Sequence, residues 1–325
     1  VPRLIVVDKN NRVKLAVTKA DDALLKGLQG KLEMYLAEDT CLMDARNSLT
    51  IVYTGNIDGY LESCNCPTRP FGGLARMVTC IKKIRKEKKN LLVVDTGDMF
   101  PCSPQKEQTI SCLRAIELIG YDAITLGDQE FILGCDFIRQ EVEKKSLPFI
   151  ASTLSLCDKN SCIPITDPYI IKELNGYRIA VIGAISEEAF ADKIQGLVVH
   201  DAVKQLNVLV DKLRKENKLD LIVLLSHMNQ DASSEIAGKV KGIDIIINGH
   251  SKVLLKAPLK INDTILLQPG GKGQYVGNFC IDMKTKRIKN YLIPLVKDIP
   301  DDKQVREIIN QQTKGLKKKA RSLSF

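Results

Sequence analysis

No stretch of this 325-residue chain reaches the ~18–20 uninterrupted apolar residues that a membrane-spanning helix needs, because charges or glycines break every candidate run. A membrane-crossing helix is therefore not expected. No internal repeat is visible, and no C-x-x-C-H occurs, which excludes covalent haem within the chain. The one C-x-C pair, Cys64 and Cys66, lacks the spacing of a zinc knuckle. Histidine is scarce at three residues, so the placing of each carries weight. The chain opens at Val1 without Met or an apolar signal core, consistent with a secretion signal lying outside this numbering.

What is present bounds the chain further. At 44% apolar content a real core can form, as one large domain or two small ones. The formal charge of +9 comes from 48 Lys and Arg against 39 acids, much of it in Lys-rich helical patterns and in the run Lys314, Lys317, Lys318, Lys319, Arg321. A solvated face or tail explains this; no nucleic-acid motif accompanies it, and small anionic substrates remain compatible. Ten cysteines exceed what a reducing compartment ordinarily uses, so an extracytoplasmic location, periplasmic or secreted, is expected.

From about Ile51 onwards short apolar β-rich runs alternate with helical patterns, the signature of an α/β sheet with crossover helices. The runs TIVYT, NLLVVD, DAITL, PFIAS, RIAVIG, LIVLLS and IDIIIN read as buried strands. Between the first two, Leu74, Met77, Val78, Ile81 and Ile84 recur at helical spacing opposite Lys82, Lys83, Arg85 and Lys86. After Asp244 strands follow without long helices, which reads as a terminal meander. Residues 1–47 form an accessory extension: two short strands around Lys9-Asn10-Asn11, then a helix through Leu24, Leu25, Leu28, Leu32 and Leu36. The main domain covers 48–297, and 298–325 reads as a polar helix with a basic tail.

In open α/β sheets functional groups gather past the carboxyl ends of strands. Here TIVYT is followed by Asn56 and Asp58, NLLVVD by Asp98, DAITL by Asp128, Gln129 and Glu130, LIVLLS by His227 and IDIIIN by His250. Taken singly, each could cap a helix or satisfy a loop backbone. Jointly, oxygen and imidazole groups arriving from several strand ends suit a divalent ion such as Mn²⁺, Zn²⁺ or Fe²⁺.

The order of these blocks resembles the calcineurin-like metallophosphoesterases, and within them the 5'-nucleotidase and UDP-sugar hydrolase group. The likeness spans about residues 49–297 through TGNIDGYLE (54–62), GGLAR (72–76), GDMFPCSP (97–104), TLGDQEFI (125–132), LSH (225–227), GIDIIINGHSK (242–252) and QPGGKGQYVG (268–277). It implies a four-layer αββα sandwich and a two-ion site. Carried over residue by residue, Asp98 is the bridging carboxylate, and Asp128, His227 and His250 serve one ion. For the other ion the expected Asp is Asn56, the first His is Asp58 and the last is Lys252, an ammonium that cannot ligate while protonated. Gln129 stands at the general-acid position and cannot transfer a proton near neutral pH, while Ile132 replaces the Asp that would orient the acid. The expectation is one divalent ion rather than two, at Asp98, Asp128, His227 and His250, with Asn56 and Asp58 as further candidates.

Cys64, Cys66 and Cys102 all follow site motifs. They could form a structural disulfide involving Cys102, a thiolate metal site or reactive dithiol, or inert thiols. Cys157 and Cys162 flank a polar loop and read as a small disulfide, whereas Cys80, Cys112 and Cys280 read as core. Three functions compete: a metal-dependent phosphoric-ester hydrolase, a non-hydrolytic metal-binding or thiol-redox protein, and a scaffold that binds a partner.

Overall fold

A computed structural model describes residues 4–7, 13–17, 47–64, 71–144 and 147–322. Leu4–Val7 (β1) and Val13–Val17 (β2) pair antiparallel, as read around Lys9-Asn10-Asn11. The helix expected through Leu24–Leu36 lies outside the described residues, as does Cys66.

The apolar runs become two six-stranded sheets. In the first, Ser48–Thr54 (β3), Leu91–Asp95 (β4), Ala123–Thr125 (β5) and Phe149–Ile150 (β6) run parallel. Tyr275–Asp282 (β16) pairs antiparallel with β3, and Ile288–Pro294 (β17) with β16. In the second, Tyr177–Ile185 (β10), Leu221–His227 (β12), Ile245–Asn248 (β13) and Thr264–Leu267 (β15) run parallel. Tyr169–Leu174 (β9) and Leu259–Ile261 (β14) close its edges antiparallel.

Period-two alternation explains why these sheets stack. Ile51 and Tyr53 on β3 meet Val223 and Leu225 on β12 and Ile245 and Ile247 on β13 in one buried cluster between the sheets. The intervening Val52 points to the opposite face, where Leu74–Glu87 (α1), Lys106–Glu117 (α2), Cys135–Lys144 (α3) and Lys303–Ser322 (α6) pack. The far side of the second sheet carries Ala202–Glu216 (α4) and Gln230–Lys239 (α5). The order helix, sheet, sheet, helix is the four-layer αββα sandwich. Each fully buried Ile or Val in it contributes about 1.5–3 kcal/mol of transfer free energy.

Two features depart from the sequence reading. The terminal strands are not one meander: the β14–β15 hairpin completes the second sheet, while β16–β17 crosses to the first. Phe279 and Ile281 on β16 supply apolar surface to the inter-sheet core, which favours that crossing. A third sheet of Leu154–Cys157 (β7), Cys162–Pro164 (β8) and Leu197–Val199 (β11) was not foreseen. All of β8 is solvent-exposed, so burial left no period in its sequence.

Candidate metal centre

The parallel strands of both sheets deliver their carboxyl ends to one edge of the sandwich. The β4 end gives Asp98, the β5 end Asp128, the β12 end His227 and the β13 end His250. One ligand atom from each of these four lies within 4.8 Å of all the others. The close approach is built from glycine: a β-carbon at Gly127 would stand 2.7 Å from both Asp98 Oδ1 and His227 Cε1.

Backbone strain is concentrated at the same edge. Asn56, Asp58, Asp98, His250 and Lys252 all hold left-handed φ values of 50–57°. Each such conformer costs roughly 1 kcal/mol, least for Asn, Asp and His. Buried hydrogen bonds hold the two loops together: Asn56 N donates to Gly97 O at 2.9 Å and Asp58 N to Asp98 O at 2.8 Å.

His227 is fully buried, and its Nδ1 lies 2.6 Å from the Thr96 carbonyl. A carbonyl only accepts, so Nδ1 carries the proton and Nε2 faces Asp128 Oδ1 at 3.2 Å and Asp98 Oδ1 at 3.3 Å. Burial opposes charge on this ring, but the two carboxylates and the Thr96 carbonyl outweigh it and hold its pKa well above the usual histidine range. Burial likewise works against the Asp128 carboxylate, yet the hydrogen bond from His227 and the nearby charge of both imidazoles bring its pKa well below the ordinary value. His250 Nδ1 is 3.3 Å from Asp128 Oδ1 but out of hydrogen-bond alignment, so this buried nitrogen is without a partner. Two carboxylates, an imidazole with its tautomer preset and an imidazole nitrogen without a hydrogen bond form a donor set that fits a divalent ion.

The neighbouring half of the edge is organised differently. Lys252 Nζ donates to Asp58 Oδ1 at 2.8 Å. Gln129 Nε2 donates to Asp58 Oδ1 and Asp98 Oδ2, both at 3.0 Å. Asn56 Nδ2 donates to Gly270 O at 2.9 Å, leaving its Oδ1 unpaired. The Lys252 ammonium and the Gln129 amide N–H thus both sit on Oδ1 of Asp58, so an internal cation stands in this half.

Two supporting residues escape a reading made from ligand types. Glu130 is fully buried and its carboxylate gathers three backbone amides: Asp98 at 2.9 Å, Gly127 at 2.7 Å and Met99 at 2.8 Å. It fastens the β4 and β5 loops to each other, and burial, then the charge of Asp98, pushes its pKa up to about 8. Arg76 of the GGLAR block donates to Leu295 O and lies 3.6 Å from Asp301, and it is not among the four clustered ligands.

The cysteines divide. Cys157 and Cys162 form the expected disulfide, across the β7–β8 pair. Cys280, buried on β16 as expected, is disulfide-bonded as well. Cys102 is an exposed free thiol, so a bridge through it is not formed; Cys64 is half-buried with its sulphur accepting from Phe71 N at 3.4 Å.

A family model described as calcineurin-like phosphoesterase matches residues 63–254. The chain belongs to the calcineurin-like phosphoesterase family. Its relatives include the trifunctional nucleotide phosphoesterase protein YfkN of Bacillus subtilis, 25% identical over 278 residues that cover 74% of this chain and 18% of that protein. The 5'-nucleotidase of Diplobatis ommata is 30% identical over 225 residues, covering 65% of this chain and 39% of that protein. This phosphoesterase chain therefore spans less than half the length of these curated relatives. Among solved structures, a 5'-nucleotidase precursor from Thermus thermophilus aligns with a TM-score of 0.74 at 20% identity, over 83% of this chain and 59% of that one. The same sandwich is thus present in both.

Proposed function

We propose that this phosphoesterase domain hydrolyses phosphoric esters with a single divalent ion held by Asp98, Asp128, His227 and His250. The observation that carries the reading is the convergence of those four ligand atoms within 4.8 Å at the carboxyl edge of the sheets. When bound, the ion supplies Lewis-acid polarisation of a phosphoryl oxygen. The chain's own residues do the rest. Thr96 fixes the His227 ring, Glu130 fixes the loop that presents Asp98, and Gln129 orients Asp98 Oδ2 through its amide. Gln129 donates no proton at neutral pH, so protonation of the leaving group falls to solvent and activity is modest. On this reading the site is a divergent one, with Asn56, Asp58 and Lys252 forming a half that takes no ion.

Relatives named as nucleotidases support a small phosphorylated substrate. The Cys157–Cys162 disulfide supports an extracytoplasmic location. The test is cleavage of a chromogenic phosphate ester by the purified chain, with elemental analysis alongside. Activity that requires metal and disappears in His250→Ala is expected; an inert protein with full metal content would sink the proposal. That second outcome would favour a non-hydrolytic metal binder, the alternative motivated by the Gln129 amide bridging Asp58 and Asp98.

A further inference from the structure

We infer that Lys252 is the anion-binding residue of this centre, with Asp58 as the acceptor on which its ammonium rests until a phosphate oxygen replaces it. The inference rests on the single-ion reading above and names the group that receives the phosphate beside the ion.

Charge sets the need for such a group. Asp58, Asp98 and Asp128 bring three negative charges, and one divalent ion leaves a net of −1 before Lys252 is counted. A phosphate approaching that centre would be repelled. Lys252 makes the sum zero, so the fixed ammonium, not the ion alone, allows an anion to enter.

Geometry gives the ammonium a place to act from and room to move. Nζ reaches Asp58 Oδ1 at 2.8 Å, next to the Gln129 amide that spans Asp58 and Asp98. The two partners differ in exposure: the Lys252 side chain is 42% accessible, while that of Asp58 is 6% accessible. Lysine can therefore turn towards an incoming ligand while Asp58 stays fixed. Its aliphatic stem packs against Gly271, where a β-carbon would come within 3.1 Å of Lys252 Cβ and Cγ. When Nζ leaves, Asp58 keeps the 3.0 Å bond from Gln129 Nε2 and is not stranded. Lys252 also sits at φ 55°, a conformation that lysine adopts at a cost, two residues after His250 at the same φ. The turn carries His250 and Lys252 two residues apart on one short loop, so the ammonium stays tethered within reach of the metal ligand while its stem turns.

The experiment is calorimetric titration of inorganic phosphate into the metal-loaded chain, with metal content measured on each sample. Wild type, Lys252→Met, Lys252→Gln and Lys252→Arg are compared. Both neutral variants should bind phosphate about tenfold more weakly with unchanged metal content, and Arg should recover most of the affinity. In ester cleavage the neutral variants should raise KM more than they lower kcat. The inference is overturned if wild type binds no phosphate, if the neutral variants bind it as wild type does, or if they lose the ion. Absence of ester cleavage in wild type, with Lys252-dependent phosphate binding intact, would remove the hydrolase reading and leave this one standing.

Discussion

The two halves of the carboxyl edge are built from the same strand ends and reach opposite states. Around His227 and His250, acceptor atoms crowd together with an imidazole nitrogen left without a partner. Around Asp58 the oxygen Oδ1 already accepts from the Lys252 ammonium at 2.8 Å and from the Gln129 amide at 3.0 Å. The first half offers ligand atoms that could hold a cation, and the second carries the Lys252 ammonium. A strand-end scaffold can therefore keep its fold while the charge it presents is exchanged, because all of these residues except His227, the last residue of β12, sit on loops past the strand ends.

The comparison breaks most severely at His227. His227→Ala removes a fully buried ring together with its bond to Thr96 and its contacts to Asp98 and Asp128. The ion should be lost, and the stability of the metal-loaded chain should fall by about 3–5 kcal/mol. Elemental analysis and urea unfolding check both. A variant that keeps the ion would show that the first half does not depend on its buried ligand.

Converting the second half into a copy of the first sharpens the contrast. Asn56→Asp with Lys252→His deletes the internal cation and adds a carboxylate and an imidazole beside Asp58. Metal content should rise from one ion per chain to two. A double variant that stays at one ion would mean that the second half is closed by backbone shape and not by the Lys252–Asp58 pair.

Beneath the ligands, Asp95 supplies a pH test of the support that both halves share. Burial pushes its pKa up to about 6, despite hydrogen bonds from Thr54 and from Gly97 N. An acid whose pKa is raised by folding favours the protonated folded state. Its contribution is fully present below the ordinary carboxylate value near 4 and is lost as pH rises towards 6. The loss is on the order of 3 kcal/mol, and Asp95→Asn should flatten that part of the stability profile. An unchanged slope in urea midpoints between pH 4 and 6 would show that Asp95 does not titrate there.

Most of the first half was legible in the sequence, since a short apolar run ending in Gly and then Asp or His marks a strand end. Asp98, His227 and His250 could be located in that way and do converge. Glu130 could not be assigned, because its type fits a ligand equally well and only its three amide partners reveal a clamp. Arg76 misleads in the other direction: it stands in a recognisable block and serves packing. Lys252 was legible as a cation at the same ion position as Asp58, but the direct bond between the two, across 194 residues of chain, was not, because matching each residue to a ligand position says nothing of contacts between the replacements. The β7–β8–β11 sheet stayed hidden for a different reason, the exposure of β8, which erases the pattern that burial imposes on a sequence.

That small sheet supplies the mildest test, because it contributes none of the four ligands. The Cys157–Cys162 bridge closes a short loop, for which chain entropy allows at most about 2 kcal/mol of stabilisation. Cys157 is only half-buried and Cys162 exposed, so opening the bridge leaves no buried cavity. Replacing both with Ser should lower the global unfolding free energy by no more than that amount. Metal content and phosphate affinity should not change. A loss of the ion in this variant would couple the small sheet to the carboxyl edge, and both halves of that edge would then depend on a region that none of their hydrogen bonds reaches.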